Sequence, residues 1–184
     1  MDAPRITAPP LDALDGAQRR LLERTVAALG AVIGPRTLLV HDMRVAEAWA
    51  ALGDALKNSA LPARARELAI LIVARHWRAG FEWQAHAAAA RNAGLPEAAI
   101  EALRLGRPPM LEDPVDIAVH GYATALVRDR SIDDPTYTRA WQALGTVALV
   151  DLTALIGHYT SVAMTLVAHR LALPPGVADP FAGS

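Results

Sequence analysis

The sequence predicts an all-α fold, and three observations carry that expectation. Apolar residues recur at helical spacing, as in Leu14, Leu21, Leu22, Val26 and Leu29. The stretch from Leu68 to Val73 is apolar nearly all round, as a central helix covered on every side would be. No segment shows the alternation or the β-branched enrichment of a strand. A chain of 184 residues, 53% of them hydrophobic, is long enough to bury a core within one domain. The expected architecture is a helical bundle around a central buried helix pair.

Residues 1–10 are rich in proline and read as an N-terminal arm. A single helical domain is expected over 11–173, opening with a helix from Leu11 to Ile33 that Gly34-Pro35 ends. A second helix runs from His41 or Arg44 to Leu56. Pro62 opens a third, in a first turn where its missing N–H costs nothing. Ala79-Gly80 breaks the run before a helix from Glu82 to Asn92, which Gly94 caps. A short helix over 96–105 leads into the linker Gly106-Arg107-Pro108-Pro109. Asp113-Pro114 starts a helix to about Val127 and Asp134-Pro135 starts another. Gly145 separates that one from a long final helix of about Val147 to Leu171. Residues 174–184, opening Pro174-Pro175-Gly176, read as a loose tail.

The formal net charge is -1 and charged residues make up 20%, with Lys and Arg scattered, so no nucleic-acid surface is expected. Met1-Asp2-Ala3-Pro4-Arg5 shows no basic start leading into an apolar core, and no secretory signal is read there. No uninterrupted apolar run approaches the roughly 20 residues of a spanning helix. The chain has no cysteine and hence no disulfide framework. The expectation is a cytoplasmic protein without membrane or nucleic-acid partners, acting on a small molecule.

Ionisable groups inside apolar segments carry the functional argument. Glu67 and His86 stand 19 residues apart, and Glu82 lies one helical turn before His86. Two carboxylates and an imidazole suffice for proton transfer near neutral pH. Glu82 and His86 share a helix face at i and i+4. The plainer reading of that pair is a surface ion pair worth a few tenths of a kcal/mol. For Glu67 it is a helix-start acid favoured by the dipole and paired with Arg64 or Arg66. On a straight antiparallel hairpin Glu67 lies roughly 18 Å from Ala79 and His86 roughly 10 Å, so spacing alone does not join them.

His41 and His158 are candidates for pocket lining, against the alternative of hydrogen-bonded core histidines, and Tyr159 adds a polar tip beside His158. Trp83 is a candidate wall beside Glu82 and His86. His76 and His120 read as surface or packing residues, and His169 as a helix-end cation. No three-ligand metal spacing and no glycine-rich phosphate loop is present, so neither a metal nor another cofactor is expected.

Leu61-Pro62, Arg66-Glu67-Leu68, Phe81-Glu82-Trp83, His86 and Asn92-Ala93-Gly94-Leu95 together resemble the carboxymuconolactone decarboxylase family. That family includes the thiol-dependent AhpD-like alkylhydroperoxidases. The strong part of the resemblance covers about a fifth of the chain, and weaker similarity runs from His41 to Tyr159. Redox members carry a Cys-x-x-Cys pair; the matching positions here are Ala79 and Glu82. The resemblance implies an AhpD-like bundle, assembly into symmetric homo-oligomers, and an approach of Glu67 to His86 as outer members of a proton relay.

Three functions follow. The first is a cofactor-independent lyase that removes CO2 from a small carboxylated lactone. In it His86 is the acid/base, Glu67 orients it, Glu82 is the second carboxylate, and Arg64 and Arg66 are the nearest cations for the substrate. The second, a thiol peroxidase or peroxiredoxin activity, is excluded for a chain that supplies no thiolate. The third is a non-catalytic helical oligomer that binds a small ligand.

Overall fold

The computed structural model describes residues 3–29, 34–171, 173 and 176–183. Among these every regular element is helical: α1 (Gly16–Leu29), α2 (Arg36–Leu39), α3 (Met43–Lys57), α4 (Ala63–Trp77), α5 (Gly80–Asn92), α6 (Glu97–Arg104), α7 (Pro114–Thr124) and α8 (Asp134–Ala168). The fold is all-α, with no strand among the described residues.

Aspartates start several of these helices. Asp42, Asp113 and Asp133 each occupy an N-cap, accepting from Val45 N, from Val115 and Asp116 N, and from Thr136 N respectively. Asp15 does the same for Ala17 and Gln18, and the Gln18 amide oxygen accepts from Asp15 N in return, a reciprocal capping box. That box corrects the first element. The segment expected to be one helix from Leu11 is a single 3-10 turn (Leu11–Ala13), then α1. Residues 30–33, into which the sequence extends that helix, lie outside the described residues, as do Met1, Asp2, Pro174, Pro175 and Ser184 of the arm and tail.

α4 is the centre. Every residue from Glu67 to Ala74 is buried, and the helix packs against α5, α7 and α8. One polar side chain in this run, Glu67, is buried with the rest. The corner to α5 is made by Arg78, in the left-handed region (φ 52, ψ 36), and Ala79 (φ -80, ψ 81). A separate small cluster, Leu14, Leu21, Leu22, Val40 and Ala46, holds α1 and α2 against α3 as a cap. Within it Gln18 Nε2 donates to the Val40 carbonyl at 2.9 Å.

Further differences from the sequence reading concern α7, α8 and the two ends. α7 continues as a π-helical turn (Ala125–Asp129) instead of stopping near Val127. Gly145 (φ 76, ψ 172) does break α8, and Trp141 Nε1 donates to Thr146 Oγ1 across the break. α8 is long and apolar enough to cross a membrane by length and composition alone, which a search for unbroken apolar runs does not show; 33% of its most apolar window is buried.

The tail is not loose. Phe181 is 1% exposed, its carbonyl accepts from Arg78 Nη2 at 2.7 Å, and the Pro180 carbonyl accepts from Arg104 Nη1 at 2.7 Å. Proline and glycine advertised disorder there, and a single aromatic anchor outweighs them by burying its ring. Gly80 records the docking: a Cβ on it would stand 3.2 Å from Pro180 Cδ and 3.3 Å from Asp179 Oδ1. The arm is tied as well, through Arg5 N to the His169 carbonyl at 3.0 Å.

Candidate active site

A cavity of about 730 Å³ opens between α4, α5, α8 and the α1–α3 cap. Glu67, Glu82 and His86 all line it. His86 Nδ1–H donates to Glu67 Oε2 at 2.7 Å, because an ionised carboxylate can only accept. That bond fixes the tautomer of the neutral ring and leaves Nε2 to exchange a proton. On the second oxygen, Glu67 Oε1 receives Arg66 Nε at 3.4 Å, and Arg66 Nη1 also donates to the Lys57 carbonyl at 3.0 Å. The contact between Glu67 and His86 excludes the straight antiparallel hairpin, on which the two would be offset by about 8 Å. The Arg78–Ala79 corner turns α5 so that the offset disappears.

Glu82 is different. It is 2% exposed, and neither carboxyl oxygen has a hydrogen-bond partner among the described residues. The i, i+4 ion pair with His86 that the spacing offers is not made. Burial pushes the Glu82 carboxyl well above the ordinary carboxylate range, which favours its protonated form. A buried polar group left without a partner is costly, and one beside a cavity is positioned to donate to whatever fills it.

Aromatic rings continue the wall. His86 meets Tyr159 edge-on at 4.9 Å between centroids, Tyr159 meets His158 at 5.3 Å, and His158 meets Trp49 at 5.6 Å. Burial, with Glu67 and Glu82 adding to it, pushes the Tyr159 hydroxyl up to about 12, and burial pushes His158 down. Both remain uncharged near neutral pH.

Of the other expected lining residues, Arg66, His158 and Tyr159 are at the cavity and three are not. Trp83 packs edge-on against Phe181 at 5.3 Å, within the main core and off the cavity. One residue along a helix turns the side chain by about 100°, which carries Trp83 away from the face that Glu82 and His86 share. His41 sits in the turn before the Asp42 cap, exposed, and its Nε2 bonds the Thr7 carbonyl of the arm at 2.9 Å. Arg64 is committed elsewhere, to Asp113 and, at 2.9 Å, to Asp116. Conversely the cavity is lined by Trp49, Arg24 and Arg36, which sequence reasoning did not single out, and by Phe81, which entered it only within the Phe81-Glu82-Trp83 motif. Trp49 alone carried a signal, as a large aromatic on an amphipathic helix.

The segment that holds Glu67, Glu82 and His86 is the one through which the sequence resembles a known family, and comparison bears that resemblance out. Residues 44–125 match the model of the carboxymuconolactone decarboxylase family. The whole fold is similar to that of an AhpD-core, peroxidase-related protein from Ralstonia eutropha JMP134, with TM-score 0.79 and 16% identity over 98% of this chain and 96% of that one. A peroxidase-related protein from Silicibacter sp. TM1040 gives 0.74 and 17% over 95% and 94%. The debrominase Bmp8, in complex with 2,3,4-tribromopyrrole, gives 0.73 and 14% over 99% and 96%. At such identities these likenesses establish the AhpD-like fold. No curated protein matches the sequence.

Proposed function

We propose that this chain is a cofactor-independent carboxy-lyase acting on a small lactone that bears a carboxylate. The observation that supports it is a buried, unpartnered Glu82 carboxyl in the same cavity as a 2.7 Å Glu67–His86 pair. In decarboxylation the bond from carbon to the carboxylate breaks, CO2 departs, and the electron pair passes into the lactone carbonyl as an enolate. Glu82, in its protonated form, donates a hydrogen bond to that developing oxyanion in a site with little water. His86 as imidazolium, its charge balanced by Glu67, returns a proton to carbon from Nε2. Each proton-carrying group is then assigned a partner that needs it. A thiol route has no residue to run on, since Ala79 and Glu82 stand where redox relatives of the family hold cysteines.

The test is CO2 release from a panel of carboxylated butenolides in deuterated water. One deuterium in the product per CO2 released supports the reading; no turnover across the panel overturns it.

We further propose that the chain works as a homo-oligomer. Val147, Val150, Ala154, Gly157, Met164 and Ala168 form an exposed, uncharged stripe along α8. The acid within its span, Asp151, is turned to the Ala60 backbone N–H at 3.1 Å. Light scattering at micromolar concentration should show a multimer, and Val150→Glu should shift it to monomer.

A further inference from the structure

The charges lining the cavity do not cancel, and the excess sits at its mouth. Arg66 is occupied by Glu67 and by the Lys57 carbonyl. Asp54 and Lys57 stand three residues apart on α3, both at the cavity, and offset one another. Glu82 is 2% exposed at the floor, where burial disfavours its charged form. Arg24 and Arg36 are left over. Both are exposed, both line the cavity, and neither guanidinium has a hydrogen-bond or acidic partner among the described residues.

These two arginines come from α1 and α2, ahead of the family segment at 44–125. Their placement is built into the chain. Gly34 is buried in the left-handed region (φ 80), and a Cβ there would fall 2.6 Å from Phe81 Cζ. Only glycine lets the cap settle on Phe81, itself part of the cavity wall, and Arg36 follows two residues later.

We infer that Arg24 and Arg36 are the anion-recognition element of this cavity, gripping a carboxylate at the mouth while the substrate ring lies among Trp49, Phe81 and Tyr159. This rests on the cavity being the substrate site. A guanidinium's N–H fork suits a carboxylate in geometry and charge, and two such groups line this cavity. The gripped group is a second carboxylate, distinct from the one that leaves as CO2, so its binding positions the ring and takes no part in bond breaking. The cap thereby selects for a planar, cyclic anion over its uncharged isostere.

The experiment measures binding of benzoate and of benzamide by calorimetry to the whole protein, to R24Q/R36Q, to R20Q and to H86A. Wild type should bind benzoate at least tenfold tighter than benzamide. R24Q/R36Q should weaken benzoate by roughly 10- to 100-fold and leave benzamide unchanged, as loss of charge-assisted hydrogen bonds requires. Arg20 lies on the same helix as Arg24 but does not line the cavity, so R20Q should behave as wild type, which controls for loss of a charge on α1. An unchanged melting temperature shows that the double variant is folded. A preference for benzoate that survives in R24Q/R36Q overturns the inference, as does wild type that binds both probes equally or neither. H86A should retain benzoate binding. Absence of CO2 release alongside intact arginine-dependent discrimination would defeat the lyase reading and leave this one standing.

Discussion

The floor and the mouth of the cavity are built on opposite principles. At the floor, Glu67, Glu82 and His86 stand on two packed helices, and Glu67 and His86 hold each other at 2.7 Å. At the mouth, Arg24 and Arg36 hang from a small cap with its own cluster and bond to nothing among the described residues. Groups that exchange protons need fixed geometry and a low dielectric, which is available only inside the core. Groups that capture an ion from water need exposure and unspent charge. The segment that matches the family model, residues 44–125, contains the three floor residues and neither arginine.

The largest effect that would break this comparison is at the floor. His86→Ala should lower turnover by about 10²–10⁴ while leaving the melting temperature near that of wild type, since the ring is at a cavity wall and not in the packed core. His76→Ala, on the exposed end of α4, should leave turnover unchanged. Equal losses in the two variants would remove His86 from the chemistry.

The core contact of Trp83 on α5 supplies the next effect. Phe181→Ala deletes the anchor between Trp83 and the Arg75 guanidinium, which lies 5.3 Å from the ring centroid. Loss of about 3–5 kcal/mol in denaturant unfolding is expected for a buried phenylalanine. A loss below about 1 kcal/mol would mean that the tail rests on the helix without holding it.

A smaller effect is the pH dependence from Glu82. Its folded-state pKa is raised by burial, so its contribution to stability is full below the ordinary glutamate range. That contribution falls as pH climbs through the window up to the raised folded value. Glu82→Gln removes the titration, so the stability difference should move in favour of the variant as pH rises. Parallel melting curves for the two proteins across pH 4 to 9 would show that Glu82 ionises in the folded state as freely as in water.

The central helix pair was legible because burial on all sides leaves no polar face: Leu68 to Val73 can be read in no other way. Asp113 announces its helix through local capping, a property of a few adjacent residues, and the start read at Asp134-Pro135 lies one residue past the Asp133 cap. Glu82 and His86 share a face by helical period alone. Neither local pattern nor period could tell that their ion pair is not made, because that depends on which way each side chain is drawn by neighbours from other elements. Trp83 shows the same limit, since its ring is packed in the core against the docked Phe181 and does not wall the cavity.

By itself, then, the sequence determined helix type, the order of elements, and which acids and which histidine share a segment. These follow from propensity, capping and period, all set within a few residues. Tertiary structure alone decided that Glu67 reaches His86, that Arg64 is committed to Asp113 and Asp116, and that Arg24 and Arg36 share a cavity with residues some 50 positions away. Each of these depends on how one helix is turned against another, and a corner of two residues, Arg78 and Ala79, sets that angle without leaving any mark in composition or spacing.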